Sequence, residues 1–124
     1  MEVPDMKERK MTKKDFVRRA MEVMLEYYDA HIPATGRCKP FSVSADWPGT
    51  DYKARLMVEQ DLTGSADSRR LRTMMHENGS DRVVSHYITK GTGEEIKAWL
   101  RNAENRGELM KSYEQLKQSV DNFD

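Results

Sequence analysis

One cysteine, Cys38, is the whole thiol content of the 124-residue chain, so no disulfide can form within it. A lone thiol fits a reducing compartment, with an intermolecular bridge as the rarer use. No apolar run approaches the roughly 20 residues that cross a bilayer, and the opening MEVPDMKERK has no apolar core of a secretory signal. The expected setting is cytoplasmic, with no membrane partner. Neither charge sign is in excess, since 21 Lys and Arg face 21 Asp and Glu. That balance excludes the whole-chain basic footprint of a nonspecific nucleic-acid binder. A local surplus remains, because residues 1–20 carry seven cationic side chains against four anionic ones. Glycine and proline are few, at seven and four, and there is no internal repeat or low-complexity tract.

What is present fits one domain. A chain of this length buries roughly two-thirds of the surface it exposes when unfolded, enough for a core without staples. Hydrophobic residues make up 37% and charged residues 34%, a polar balance, but the apolar residues recur at regular spacing. Nine methionines supply adaptable filler for a core or for an interface.

Residues 1–11 contain Pro4 and no periodicity, and they read as a flexible arm. From Thr12 the spacing becomes helical. Phe16, Val17, Ala20, Met24, Tyr27 and Tyr28 form one stripe, Thr12 is an N-cap, and Asp15 suits the positive end of the helix dipole. This predicts a helix over about 12–30. After the loop IPATGRCKP the period falls to two. Phe41, Val43, Ala45 and Trp47 alternate with polar residues, as do Tyr52, Ala54, Leu56, Val58 and Leu62, with PGTD as the turn between.

The next segment, RRLRTMMHENG, reads two ways. As a helix it would be capped by Asp67 or Ser68 and stopped by Gly79. As a strand it pairs through Asn78-Gly79 with SDRVVSHYIT, and Asn-Gly between two such runs favours the hairpin. A two-residue loop sets Met75 opposite Arg82, Thr73 opposite Val84, Leu71 opposite His86, Arg70 opposite Tyr87 and Arg72 opposite Ser85. Thr92 and Glu95 then spell a capping box, with Ile96, Trp99, Leu100 and Ala103 as the stripe behind it. Leu109, Tyr113, Leu116 and Val120 continue as a helix beyond Gly107, which is the expected break or kink. The fold class that follows is α+β: an N-terminal helix, a four-stranded antiparallel sheet, and a C-terminal helix or helix pair packed on one face. Residues 12–121 form the domain and 122–124 a frayed tail.

Few constellations carry chemistry. Cys38, His31, His76 and His86 are scattered without metal-ligand spacing, so no metal or cofactor is expected. Asp61 and Asp67 lack the cadence of a calcium loop, and KGTGEE lacks the glycine spacing and the Lys-Ser/Thr of a phosphate cradle. Arg37 and Lys39 flank Cys38, a setting that lowers a thiol pKa and favours reactivity, but an incidental loop thiol is the preferred reading. Ser85 and His86 are adjacent, so in a strand they point to opposite faces and form no catalytic pair. Glu59 and Asp61 are expected together on the wet face of the second strand. The candidate binding face is Arg55, Arg70, Arg72, Arg82 and Tyr87 on the polar side of the sheet. The function expected is a non-catalytic protein-interaction module. The alternative is a nucleic-acid-binding accessory protein using Arg69, Arg70, Arg72 and Arg82 with the basic arm; homodimerisation stays open.

Overall fold

The computed structural model describes residues 11–123. The arm assigned to residues 1–11 therefore lies, apart from Met11, outside the described residues. Helix α1 spans Lys13–His31, and Thr12 caps it with a complete capping box in which Asp15 returns the bond. Strands β1 (Phe41–Asp46), β2 (Tyr52–Gln60), β3 (Arg69–Glu77) and β4 (Val84–Gly91) pair antiparallel in the spatial order β1-β2-β3-β4. The ambiguous segment 69–77 is thus a strand. Helix α2 covers Gly93–Arg101 and α3 covers Arg106–Asp121.

The helices lie on one face of the sheet, α1 against α2, α3 and β1, and α3 against β3 and β4. Alternation decides which strand residues meet them. Val43, Ala45, Ala54, Leu56, Val58, Leu71 and Met75 are buried beneath the helices, joined by Phe16, Val23, Met24, Tyr28, Ile96, Leu109, Tyr113 and Leu116. Phe16, Trp47 and Tyr113 form an aromatic knot with centroids 5.1–5.7 Å apart, two of its three contacts edge-to-face. That geometry sets positive ring edges against negative ring faces.

The helix pair breaks earlier than Gly107. Asn102 ends α2 and accepts a hydrogen bond from Glu104 N at 3.0 Å, starting a 3₁₀ turn at Ala103–Asn105. Asn105 Nδ2 donates back to the Trp99 carbonyl at 2.8 Å. Two asparagines satisfying helix-end carbonyl and amide groups make the corner, and Gly107 lies inside α3.

The β3–β4 register differs from the two-residue hairpin. Gly79 sits at φ 84° and Ser80 N bonds Glu77 O, yet Asp81, Arg82 and Val83 stay outside the ladder. Met75 pairs with Val84, Thr73 with His86 and Met74 with Ser85, a slip of two residues from the expected pairing. Slipping by two keeps every face assignment while placing Val84, instead of the charged Arg82, beside buried Met75. The turn is also held from outside. Asn78 N donates to Asp51 O at 3.0 Å and Asn78 Nδ2 to Asp51 Oδ1 at 3.0 Å, tying the loop to the β1–β2 turn. A bulge at Leu71/Arg72 leaves Ile88 as the extra residue, so Arg72 pairs with Tyr87 and Arg70 with Lys90.

Two further expectations fail at strand ends. Leu62, placed on the apolar stripe, is 76% exposed because β2 ends at Gln60. Asp61 lies just past the end of β2 and is buried in its loop, where Thr63 donates to its Oδ1 from both backbone (3.0 Å) and hydroxyl (2.7 Å). Those bonds hold the Asp61 carboxyl below its ordinary range.

Candidate functional site

Among the described residues no helix covers the second face of the sheet, and the register lays its side chains out in rows. One row reads Ser42, Met57, Arg72, Tyr87; the next reads Ser44, Arg55, Met74, Ser85. Glu59, Arg70 and Lys90 form a third row, and Asp46, Lys53 and His76 a fourth. The centre is a two-by-two checkerboard with Met57 and Met74 on one diagonal and Arg55 and Arg72 on the other. Residues diagonal across an antiparallel pair lie about 7–8 Å apart. Tyr87, beside Arg72, is 53% exposed.

The charge on this face is uneven. Lys53, Arg55, Arg70, Arg72 and Lys90 stand against Asp46 and Glu59, a cationic surplus in a chain with no net charge. Part of it is committed. Glu59 Oε2 accepts from Arg70 at 2.8 and 2.9 Å and from Arg72 at 3.2 Å, and Arg72 Nη2 donates to Ser85 Oγ at 2.8 Å. Lys53 pairs with Asp46 at 3.1 Å. Arg55 and Lys90 form no ion pair among the described residues. Only the arginine backbone is used from the other side: Tyr113 donates its hydroxyl to the Arg55 carbonyl at 3.0 Å.

The structure thus brings together Arg55, Arg70, Arg72 and Tyr87, and separates Arg82. Outside the ladder, the Arg82 guanidinium lies 4.7 Å from the centre of the Phe123 ring, at the far end of the β3–β4 loop. Arg69, enlisted with the other arginines for the nucleic-acid alternative, faces the opposite way and is fully buried. Its Nη2 donates to Pro33 O (2.8 Å) and Gly36 O (2.7 Å), and its Nη1 to Ala66 O (2.9 Å), Ser68 O (3.3 Å) and Gln60 Oε1 (3.3 Å). One planar guanidinium fastens the α1–β1 loop to the β2–β3 loop. It is unavailable to a ligand.

Cys38 also departs from its flanking charges. Burial pushes its thiol up, and only secondarily does Arg69 pull it down. A raised thiol pKa leaves little thiolate, which fits an incidental loop thiol.

A polar chain beneath the sheet has no counterpart in the sequence reading. Thr73 Oγ1 lies 2.6 Å from Ser112 Oγ, which lies 2.9 Å from His86 Nδ1. His86, Ser112, Glu108 and Lys111 also line a shallow groove between β4 and α3. A serine hydrogen-bonded to a histidine invites a nucleophilic reading. Ser112, however, sits within α3, where backbone N–H groups are spent on the helix ladder and cannot form an oxyanion hole. The chain satisfies two buried hydroxyls. Its signal was available: Ser112 lies on the stripe of Leu109, Tyr113 and Leu116, and Thr73 alternates with Leu71 and Met75.

Among the described residues no three His, Cys, Asp or Glu side chains converge as metal ligands, and no helix is long and apolar enough to cross a membrane. No family model, curated protein or solved structure matches this chain.

Proposed function

We propose that this protein is a non-catalytic interaction module that binds another protein through the open face of its sheet. One observation carries the reading: among the described residues the helices pack on one face, while the other presents Met57 and Met74 bracketed by arginines and flanked by exposed Tyr87. Methionines are flexible, polarizable anchors, and tyrosine and arginine are the side chains that dominate protein interfaces. Face-to-face pairing of two copies would set the cationic surplus against itself, which favours a different partner. The test is a photo-crosslinking residue placed at Met74 and, as control, at Glu22 on the outer side of α1. The expected result is a reproducible protein adduct from position 74, competed by unlabelled wild type and not by the Met57→Glu/Met74→Glu variant. Adducts from position 22 alone, or none, would refute it.

Tyr87 beside Arg72 supports a second reading, in which one base stacks on the ring while cations track the backbone. Binding to oligonucleotides that falls steeply with ionic strength would favour it, and no binding at low salt would remove it.

A further inference from the structure

Resting on the interaction reading above, we infer that the partner presents an acidic amphipathic segment, with carboxylates on either side of apolar side chains, to the checkerboard of Arg55, Arg72, Met57 and Met74. Charge complementarity selects the sign. Among the described residues five cationic side chains share this face with two carboxylates, so an approaching cationic segment meets repulsion and an anionic one attraction. The pairing state of individual groups sharpens the argument. Arg55 has no ion-pair partner among the described residues, and its Nε and that of Arg72 are sequestered without hydrogen-bond acceptors. An incoming carboxylate at this diagonal meets one cation with no ion-pair partner among the described residues and a second, Arg72, whose Nη1 and Nη2 each make one hydrogen bond and carry a second N–H.

The apolar half of the requirement comes from the other diagonal. Met57 and Met74 occupy polar-side positions of their strands, where alternation would place hydrophilic residues. Each is only partly covered by its neighbours, and each is flanked by an arginine across the strand and another along it. Apolar side chains seated between the thioethers would be dehydrated while the carboxylates beside them reach the guanidinium groups. A nucleic acid satisfies the charge but not the methionines. It also finds one stacking ring, where sequence-tolerant sheet binders use several.

The experiment uses the full chain with isotope-labelled methionine methyl groups. Four probes are titrated: a peptide bearing Glu and Leu, its Lys-for-Glu counterpart, its Ser-for-Leu counterpart, and oligo(dT). The Glu/Leu peptide should move the Met57 and Met74 methyl signals saturably and leave Met21 and Met24, buried on the inner side of α1, unmoved. Arg55→Glu should weaken it by about tenfold, the scale of losing one attractive and gaining one repulsive contact on a partly exposed surface. Arg55→Gln should weaken it by about threefold, and the exposed Arg101→Glu on α2 should leave it unchanged. Equal binding of the Lys or Ser counterpart, or preferential binding of oligo(dT), overturns the inference. If the photo-crosslinked partner docks through a basic or uncharged segment, the interaction reading stands and this inference falls. Silence of both methyl signals together with no adduct at position 74 sinks both.

Discussion

Replacing Arg69 with methionine keeps the aliphatic stem and removes the guanidinium that, alongside the 2.6 Å bond from Gly36 N to Asp67 Oδ1, holds two loops together. The guanidinium is fully buried and bonds only neutral acceptors, three of them at 2.7–2.9 Å. A hydrogen bond from a charged donor contributes roughly 1.5–3 kcal/mol, so three strong ones are worth about 4–9 kcal/mol gross. Two effects offset this. The variant no longer has to desolvate a cation, a cost of several kcal/mol. Pro33 and Ala66 are themselves at the surface, so their carbonyls can recover water when the loops relax. The net expectation is a loss of about 3 kcal/mol, the lower end of what breaking a buried charged network costs. In a domain of this size that lowers Tm by roughly 10 °C or more. Urea denaturation should show the midpoint falling with little change in slope. Hydrogen exchange should accelerate first in residues 33–40 and 61–68, since local opening follows the contacts removed. Arg69→Lys should recover little, because one ammonium cannot span both loops. The comparison is Arg72→Met on the open face, expected within about 1 kcal/mol of wild type. If Arg69→Met is no worse than Arg72→Met, the buried guanidinium does not hold the loops and the reasoning fails.

Ser112→Ala strands the fully buried Thr73 hydroxyl and should cost about 1–2 kcal/mol. Adding Thr73→Val should restore part of it, and a double-mutant cycle showing simple additivity would disprove the coupling. Burial pushes the Tyr28 phenol up to about 12, and burial raises Tyr113 further still. Both folded values lie above the unfolded one near 10, so their contribution is complete below that pH and is lost as pH climbs through the folded values. Stability should therefore decline in alkali, and Tyr28→Phe/Tyr113→Phe should flatten that decline. Tyr52, which donates to Asp121 at 2.5 Å and is likewise raised to about 12, should retain the remaining slope. At neutral pH Tyr28→Phe alone should be neutral to stabilising by up to about 1 kcal/mol, because its buried hydroxyl has no acceptor among the described residues. A marked loss in that variant would reveal a partner for the hydroxyl.

The candidate site was legible in part. Arg55, Arg70, Arg72 and Tyr87 follow from strand alternation alone, because side chains two apart share a face and a slip of two preserves it. Arg82 was misplaced because the Asn-Gly pair marks where the chain turns but not where pairing resumes. Arg69 was misplaced for a related reason. Its polarity suggests solvent, whereas the position is the first of β3, on the buried side, beneath two loops lined with carbonyl acceptors.

Local chemistry determined the rest of the outline without help. Thr12 and Thr92 with their partners three residues on fix where α1 and α2 begin, and the change of apolar period from 3.6 to 2 and back fixes which elements are helix and which are strand. These signals act within one turn or one strand. The register of β3 on β4, the burial of Asp61 in its loop, the burial of Arg69, the Thr73–Ser112–His86 chain and the open checkerboard of Met57 and Met74 required the tertiary structure. Each depends on groups far apart in sequence competing for the same buried acceptors and the same apolar surface, and only the assembled fold decides which of them meet.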